Sequence, residues 1–109
     1  MKAMGHIWIE NGNGFRLGKG RAELLEMIAQ TGSISQAAYN LDISYRKAWA
    51  MIKQMNESAP RALVKKTVGG KNGGGAIVTE YGKEVLKLFH HLHAQFNEFK
   101  QDFTQKLES

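Results

Sequence analysis

The chain has 109 residues, 42% of them hydrophobic, and carries a net charge of +5 with no cysteine. A chain of this length builds one core and leaves no room for a second sizeable domain, and the lack of cysteine excludes disulfides and thiolate metal sites. No apolar run is long enough for a signal peptide or a membrane span, so we expect a single domain over residues 1–109 and a cytoplasmic location.

The first 18 residues have the pattern of a β-hairpin. Ile7 and Ile9 alternate with other residues ahead of an Asn-Gly pair, and Phe15 and Leu17 alternate after it. The glycines between residues 12 and 20 resemble a dinucleotide-binding fingerprint only superficially, because the flanking pattern is that of two strands. We therefore predict an N-terminal hairpin over 1–18.

A three-helix core is predicted over 20–57. Leu24, Leu25 and Ile28 share one helical face, and Gly32 ends that helix. Two further apolar faces follow over 33–57 on either side of a short connection, which predicts a helix-turn-helix. The residues expected to be buried on these two faces are Ile34, Ala37, Ala38, Leu41, Ala48, Met51, Ile52 and Met55.

Both helices of this motif begin at a capping residue. Ser33 followed by Gln36 is a capping-box signature, and Ser44 can accept hydrogen bonds from the first backbone N–H groups of the second helix. Ala37 and Ala38 leave room for two helices to cross closely. On pattern alone, an ordinary helical hairpin is the alternative.

The charge distribution favours a nucleic-acid-binding motif. Residues 43–75 contain seven lysines and arginines against one glutamate, a net charge of +6, whereas the rest of the chain has eight basic against nine acidic residues. A general solubility charge would be spread more evenly. The excess lies on the second helix of the motif and the segment after it, where a polyanion would bind.

The outward face of that second helix carries candidate DNA contacts. Arg46 can form a bidentate contact to guanine or bind a phosphate, Lys47 and Lys53 suit phosphates, and Ala50 can touch a thymine methyl. Trp49 is interpreted as a packing residue. The full candidate set is Ser33, Ser35, Gln36, Ser44, Tyr45, Arg46, Lys47, Ala50, Lys53, Lys65, Lys66 and Lys71. Capping alone would also explain Ser33, and Tyr45 fits either a phosphate contact or packing.

A two-stranded wing is predicted over 63–79. Strand-like residues 63–68 and 76–79 flank a tip with five glycines that carries Lys71, and such a tip can lie against phosphate. A nucleotide-binding loop is the competing interpretation. It is discounted because the Gly-Lys-Ser/Thr ending is missing and a strand follows instead of a helix.

The last predicted helix, 80–107, has an apolar repeat with steps of four and three. At 1.5 Å per residue it would be ~42 Å long, which is longer than a small winged domain can cover. We therefore predict a homodimer in which a second copy buries the seam. Its predicted residues are Phe89, Leu92, Phe96, Phe99 and Phe103. Folding back on the same chain is the alternative, and it accommodates the first half of the helix better than Phe103.

The sequence predicts no cofactor, no metal site and no enzyme activity. His90, His91 and His93 fan around one helix without converging as a tetrahedral ligand set, and a solvated helix surface explains them. No nucleophile with a base and no paired carboxylates form a catalytic arrangement.

Taken together, these residues resemble the DNA-binding domain of the molybdate-responsive ModE regulators. The matching pieces are 32–38, 44–49, 55–56, 63–64, 69–71, 73–76 and 79–82. The resemblance implies a LysR-like winged helix, dimerisation through flanking helices and transcriptional control at inverted repeats. It also implies a short form without the molybdate-binding domains, for which a separate effector protein is one source of a signal.

We expect a mainly α protein with small β-hairpins: a dimeric winged helix-turn-helix regulator that binds double-stranded DNA. Two other classes remain open. A nonspecific architectural protein would bind every duplex with a similar, salt-dependent affinity. A protein-interaction adaptor would use the phenylalanine-rich helix and bind DNA weakly.

Overall fold

A computed structural model describes residues 1–68 and 75–109. The elements in chain order are β1 (Ile9–Glu10), β2 (Arg16–Leu17), α1 (Lys19–Thr31), α2 (Ile34–Asn40), α3 (Tyr45–Ser58), β3 (Val64–Lys66), β4 (Ala76–Val78) and α4 (Glu80–Glu108). The predicted fold class, mainly α with small antiparallel hairpins and a long C-terminal helix, is confirmed. Lys71 and the rest of the predicted wing tip lie outside the described residues.

The core forms where α1, α2 and α3 pack together, and the hairpins close it. The predicted apolar faces are confirmed, with Leu41 and Met51 half-buried at the edge of the core. Leu17 from β2 and Leu63 just before β3 are fully buried between the helices. The largest fully buried side chains are Leu17, Leu24, Leu25, Ile28, Ile34, Ile52, Met55 and Leu63.

The N-terminal hairpin is shorter than predicted. Its antiparallel ladder pairs Ile9 with Leu17 and Glu10 with Arg16, and residues 11–15 form the loop. The first eight residues run along α4 instead, where the N–H of Ala3 donates to Oγ1 of Thr104 at 2.9 Å. Alternation in the sequence could not show this, because a segment that packs against a helix can have the same apolar pattern as a strand.

The connection between α2 and α3 is a tight turn that depends on one residue. Asp42 adopts the left-handed conformation with a φ of 57°. The N–H of Asp42 donates to the carbonyl of Tyr39 and that of Ile43 to the carbonyl of Ala38, at 3.1 and 3.0 Å. This is the Schellman pattern that satisfies the last carbonyls of a helix, and it turns the chain directly into α3.

The wing is attached to the start of α2. β3 and β4 pair in the antiparallel register Val64 to Val78 and Lys66 to Ala76. On the other side of β4, the N–H of Ala76 donates to the carbonyl of Gly32 at 3.0 Å. Ser33 forms a further antiparallel bridge with Gly75. The base of the wing therefore lies beside the helix-turn-helix.

The first half of α4 packs on the core and the second half extends past it. Leu86 and Phe89 are buried, and Phe89 is only 3% exposed. Phe89, which the sequence predicts in a dimer contact, packs its ring inside its own chain instead. Farther along, Leu92, Phe99 and Phe103 are 38%, 62% and 44% exposed.

Gly82 allows α4 to approach the wing. A Cβ atom at this position would overlap the carbonyl oxygen of Leu63 and lie 2.8 Å from Cγ1 of Val78. The obstacle is partly backbone and cannot rotate away. Because the side chain of Thr79 caps α4 by accepting from the N–H of Gly82 at 2.9 Å, the contact lies in the first turn of the helix.

We expect Gly82→Ala to lower the free energy of unfolding by about 1–3 kcal/mol, the usual cost of overpacking, although alanine favours helices. Urea unfolding followed by circular dichroism measures the change. Gly20→Ala is the matched control in α1, since a Cβ there meets nothing within 4 Å. Equal stability of Gly82→Ala and the wild type would refute the close contact.

Candidate nucleic-acid interface

The two helices of the helix-turn-helix motif are capped as the sequence predicts. The hydroxyl oxygens of Ser33 and Ser44 accept from the N–H groups of Gln36 and Lys47, each at 3.0 Å. The reciprocal half of the capping box does not form, because Nε2 of Gln36 donates to Oδ1 of Asn40 at 2.9 Å. Capping therefore accounts for the hydroxyl oxygens of both serines. Ser33 is half-buried and Ser44 is exposed.

The outward face of α3 is exposed along its length. Ala48, Ile52 and Met55 point into the core. The predicted contacts on the opposite side are all exposed, namely Tyr45, Arg46, Lys47, Ala50 and Lys53. Ser35 and Gln36 are exposed at the start of α2. The start of α2 and the basic face of α3 are therefore both exposed, and an exposed basic helix can enter a major groove.

The wing strand β3 is tied to α3 through a cation–π contact. Nζ of Lys66 lies 4.1 Å from the ring centroid of Trp49, which is half-buried on the flank of α3. Contacts of this kind contribute about 0.5–1 kcal/mol at exposed sites. Lys65 is the next residue along the strand and points to the opposite face of the hairpin, since side chains alternate in a strand. The contact agrees with the packing interpretation of Trp49.

Asn56, near the end of α3, makes a second connection to the wing. Its Oδ1 accepts from the N–H of Leu63 at 2.8 Å and from the N–H of Val64 at 3.3 Å, while its Nδ2 donates to the carbonyl of Val64 at 2.9 Å. The side chain thus pairs with the backbone as a short strand would. The sequence analysis missed this role: the Met-Asn pair was part of the family resemblance, but nothing in the pattern showed what the amide binds.

The cations of this surface are not neutralised by ion pairs within the described residues. The three ion pairs found there join Met1 to Glu108, Lys83 to Glu80 and His90 to Glu26. All three lie away from α3 and β3. The positive charge on α3 and β3 is therefore available to an external anion.

Among residues 1–68 and 75–109, no group of three or more histidine, cysteine, aspartate or glutamate side chains is placed to hold a metal ion. No helix there combines the length and the apolar character needed to cross a bilayer.

Two of the known proteins similar to this chain are named as transcriptional regulators. The ModE transcriptional regulator of Haemophilus influenzae is 46% identical over 69 residues, which cover 63% of this chain and 27% of that protein. The DNA-binding transcriptional dual regulator ModE of Escherichia coli K12 has the same identity over the same length, 26% of its own chain. The molybdenum transport protein ModE of Azotobacter vinelandii is 35% identical over 94 residues, 86% of this chain and 35% of that one. The chain thus spans a quarter to a third of these relatives.

Among solved structures, the full-length LTTR LysG of Corynebacterium glutamicum has the same fold. It aligns with a TM-score of 0.60 at 23% identity, over 79% of this chain and 28% of LysG. The same regulator with bound effector arginine aligns with a TM-score of 0.59. At this identity the likeness establishes the fold alone.

The family follows from the matched region. A family model described as "Bacterial regulatory helix-turn-helix protein, lysR family" matches residues 21–83, from the first turn of α1 to the first turn of α4. The resemblance to the DNA-binding domain of ModE regulators is confirmed by the identities above. Since the model covers more than half of the chain and contains both the helix-turn-helix and the wing, the chain belongs to the lysR family of bacterial regulatory helix-turn-helix proteins.

Proposed function

We propose that this chain is a sequence-specific DNA-binding regulator of transcription. The observation that carries the proposal is the fixed geometry of two basic elements, since Asn56 and the Trp49–Lys66 contact hold β3 against α3. A protein that inserts a helix into a groove needs its phosphate-binding groups at a fixed distance from that helix. Such a role needs no cofactor and no catalytic group. It also implies a location in the cytoplasm, where bacterial DNA lies.

Individual roles follow from position on α3. Arg46, in the first turn of α3, reaches a guanine edge, and Ala50 one turn later allows close approach to a thymine methyl. Lys47, Lys53 and the exposed Lys65 bind phosphates and fix the register. Ser35 and Gln36 bind backbone from the start of α2. Lys71 is proposed as a further phosphate contact from sequence alone.

We also propose that two copies pair through α4, on a narrower face than the heptad pattern predicted. Leu88, Leu92, Phe99 and Phe103 lie within about 60° of one another around a helix of 3.6 residues per turn, and all are exposed. The rings of Phe99 and Phe103 already stack at 6.1 Å. Phe96 lies on the edge of this face and is half-buried, because Gly5 of the N-terminal segment packs against its ring.

Selection from a random duplex library at about 0.15 M salt tests the proposed function. We expect enrichment of an inverted repeat, which requires both base readout and twofold symmetry. Bound DNA with no enriched motif would identify an architectural binder. No retained DNA would favour the adaptor class, in which α4 binds another protein.

Two substitutions should separate base contacts from phosphate contacts. Arg46→Ala is expected to relax preference at one position of each half-site, at a cost of about 1–3 kcal/mol on the preferred sequence. Lys65→Ala is expected to weaken binding to every sequence and to lower the salt slope by about 1. Fluorescence anisotropy on matched and mutated duplexes measures both.

Lys106→Ala, at the far end of α4, is the control for loss of one exposed cation. If Arg46→Ala weakens all duplexes equally, Arg46 is a phosphate contact and the base assignment is wrong.

The double variant Phe99→Asp/Phe103→Asp should be monomeric, because four carboxylates would face one another across the twofold axis. Sedimentation equilibrium measures the state, and binding to a paired half-site should fall at least tenfold. Gln101→Asp adds a charge on the opposite side of the same helix and should leave the dimer intact. A double variant that still sediments as a dimer would refute the α4 interface.

A further inference from the structure

A concave site among the described residues that no part of the proposed DNA surface uses lies behind α3. It is a cavity of about 370 Å³ between the N-terminal segment, the β1–β2 hairpin, the first turn of α1 and the middle of α4. A volume of this size lies at the lower end of the range for small-molecule sites. Met51 of α3 also lines the cavity, so five separate segments shape the space.

The charge lining this cavity is positive. Arg16 on β2, Lys19 and Arg21 in α1, and Lys100 on α4 all contribute to its wall, together with two histidines. No acidic residue lines it among residues 1–68 and 75–109. Four cations from three different elements gathered around one space repel one another, and an anion between them removes that repulsion.

Two of these cations rest on aromatic rings. The guanidinium carbon of Arg16 lies 4.1 Å from the centroid of Trp8, and Nζ of Lys100 lies 5.1 Å from the centroid of Phe96. Cation–π contacts restrict where the charged groups can go. Oε2 of Glu10 accepts from Nε1 of Trp8 at 3.2 Å, and neither Arg16 nor Arg21 forms an ion pair with Glu10 in the described residues.

The first turn of α1 adds backbone donors to the same wall. Gly18 precedes the helix in an extended conformation and provides no side-chain cap, and the first turn has no acidic residue. The first helical hydrogen bond runs from the N–H of Ala22 to the carbonyl of Gly18 at 3.0 Å, so the N–H groups before it lack helical partners. Gly18 and Gly20 line the cavity, and having no side chains they expose backbone there.

Arg21 provides a second, independent observation at this wall. Its Nε atom is buried and has no hydrogen-bond partner among the described residues. A buried donor on a charged group is costly when it is unpaired, and the charge needs a partner nearby. An anion in the cavity would compensate the guanidinium and meet the uncapped turn at once.

We propose that this cavity binds a small organic phosphate, with the phosphate group at the first turn of α1 between Arg21 and Lys100. The doubly charged phosphate monoester matches several cations and a helix N-terminus better than a carboxylate does. The remaining space, bordered by Trp8 and Phe96, holds the organic part. The site is separate from the outward face of α3, so its occupancy does not depend on the DNA role.

Isothermal titration calorimetry of the full chain with AMP, inorganic phosphate and adenosine tests the proposal. We expect AMP to bind, inorganic phosphate to bind more weakly and adenosine not to bind. Lys100→Gln should raise the dissociation constant for AMP at least tenfold. Gly20→Asp should do the same while keeping the protein folded, because a first-turn carboxylate suits the helix and no atom lies within 4 Å of the new Cβ.

Lys106→Gln removes a cation elsewhere on α4 and should leave AMP affinity unchanged. Absence of AMP binding to the wild type at millimolar concentration would overturn the proposal. AMP binding that survives both Lys100→Gln and Gly20→Asp would place the ligand elsewhere and overturn it as well. If AMP does not bind but both variants weaken duplex binding, the cavity receives a phosphate of the DNA backbone, which also refutes a small-molecule site.

Discussion

The backbone of Leu63 is the junction on which the functional arrangement depends. Its N–H donates to Oδ1 of Asn56 at the end of α3, and its carbonyl accepts from the N–H of Thr79 at 2.9 Å just before α4. Its side chain is fully buried. One residue therefore joins α3, the wing and α4. Buried backbone groups must be paired, so none of these elements can shift without leaving a donor or acceptor unsatisfied.

The domain carries positive charge on α3 and β3 while both elements still pack against the core. The apolar residues of α3 face the core and its cations face solvent. There, dissolved salt screens the repulsion between the like charges of α3 and β3. Trp49 lies where the two basic elements meet, and its ring contacts the ammonium group of Lys66. Positive charge is held in place by packing instead of by ion pairs, and an external polyanion can approach it.

α4 performs two tasks along one helix. Its first turns belong to the core, through Leu86 and Phe89, and its last turns carry exposed phenylalanines beside the N-terminal segment. The apolar stripe runs along the whole of α4. The core of the same chain covers Leu86 and Phe89, whereas Phe99 and Phe103 remain exposed. The N-terminal segment and the hairpin also create the cationic cavity against this helix, so the region outside the family-matched residues contributes structure of its own.

Local signals in the sequence determined the elements. Ser33, Ser44 and Thr79 begin helices because a hydroxyl next to free N–H groups is a purely local interaction, and helical periodicity marked the buried faces of α1 to α3 because burial follows the turn of the helix. The basic stretch from 43 to 75 predicts, by composition alone, the side for which we propose DNA binding.

Tertiary structure decided the rest. Periodicity marked Phe89 as apolar but could not show whether its own core or a second copy covers it, since both give the same repeat. The pairing of Asn56 with Leu63 and Val64, the contact of Lys66 with Trp49 and the gathering of Arg16, Arg21 and Lys100 around one cavity join residues from separate elements. Such contacts depend on how whole elements pack, and no local pattern in the sequence shows which residues of separate elements lie close together.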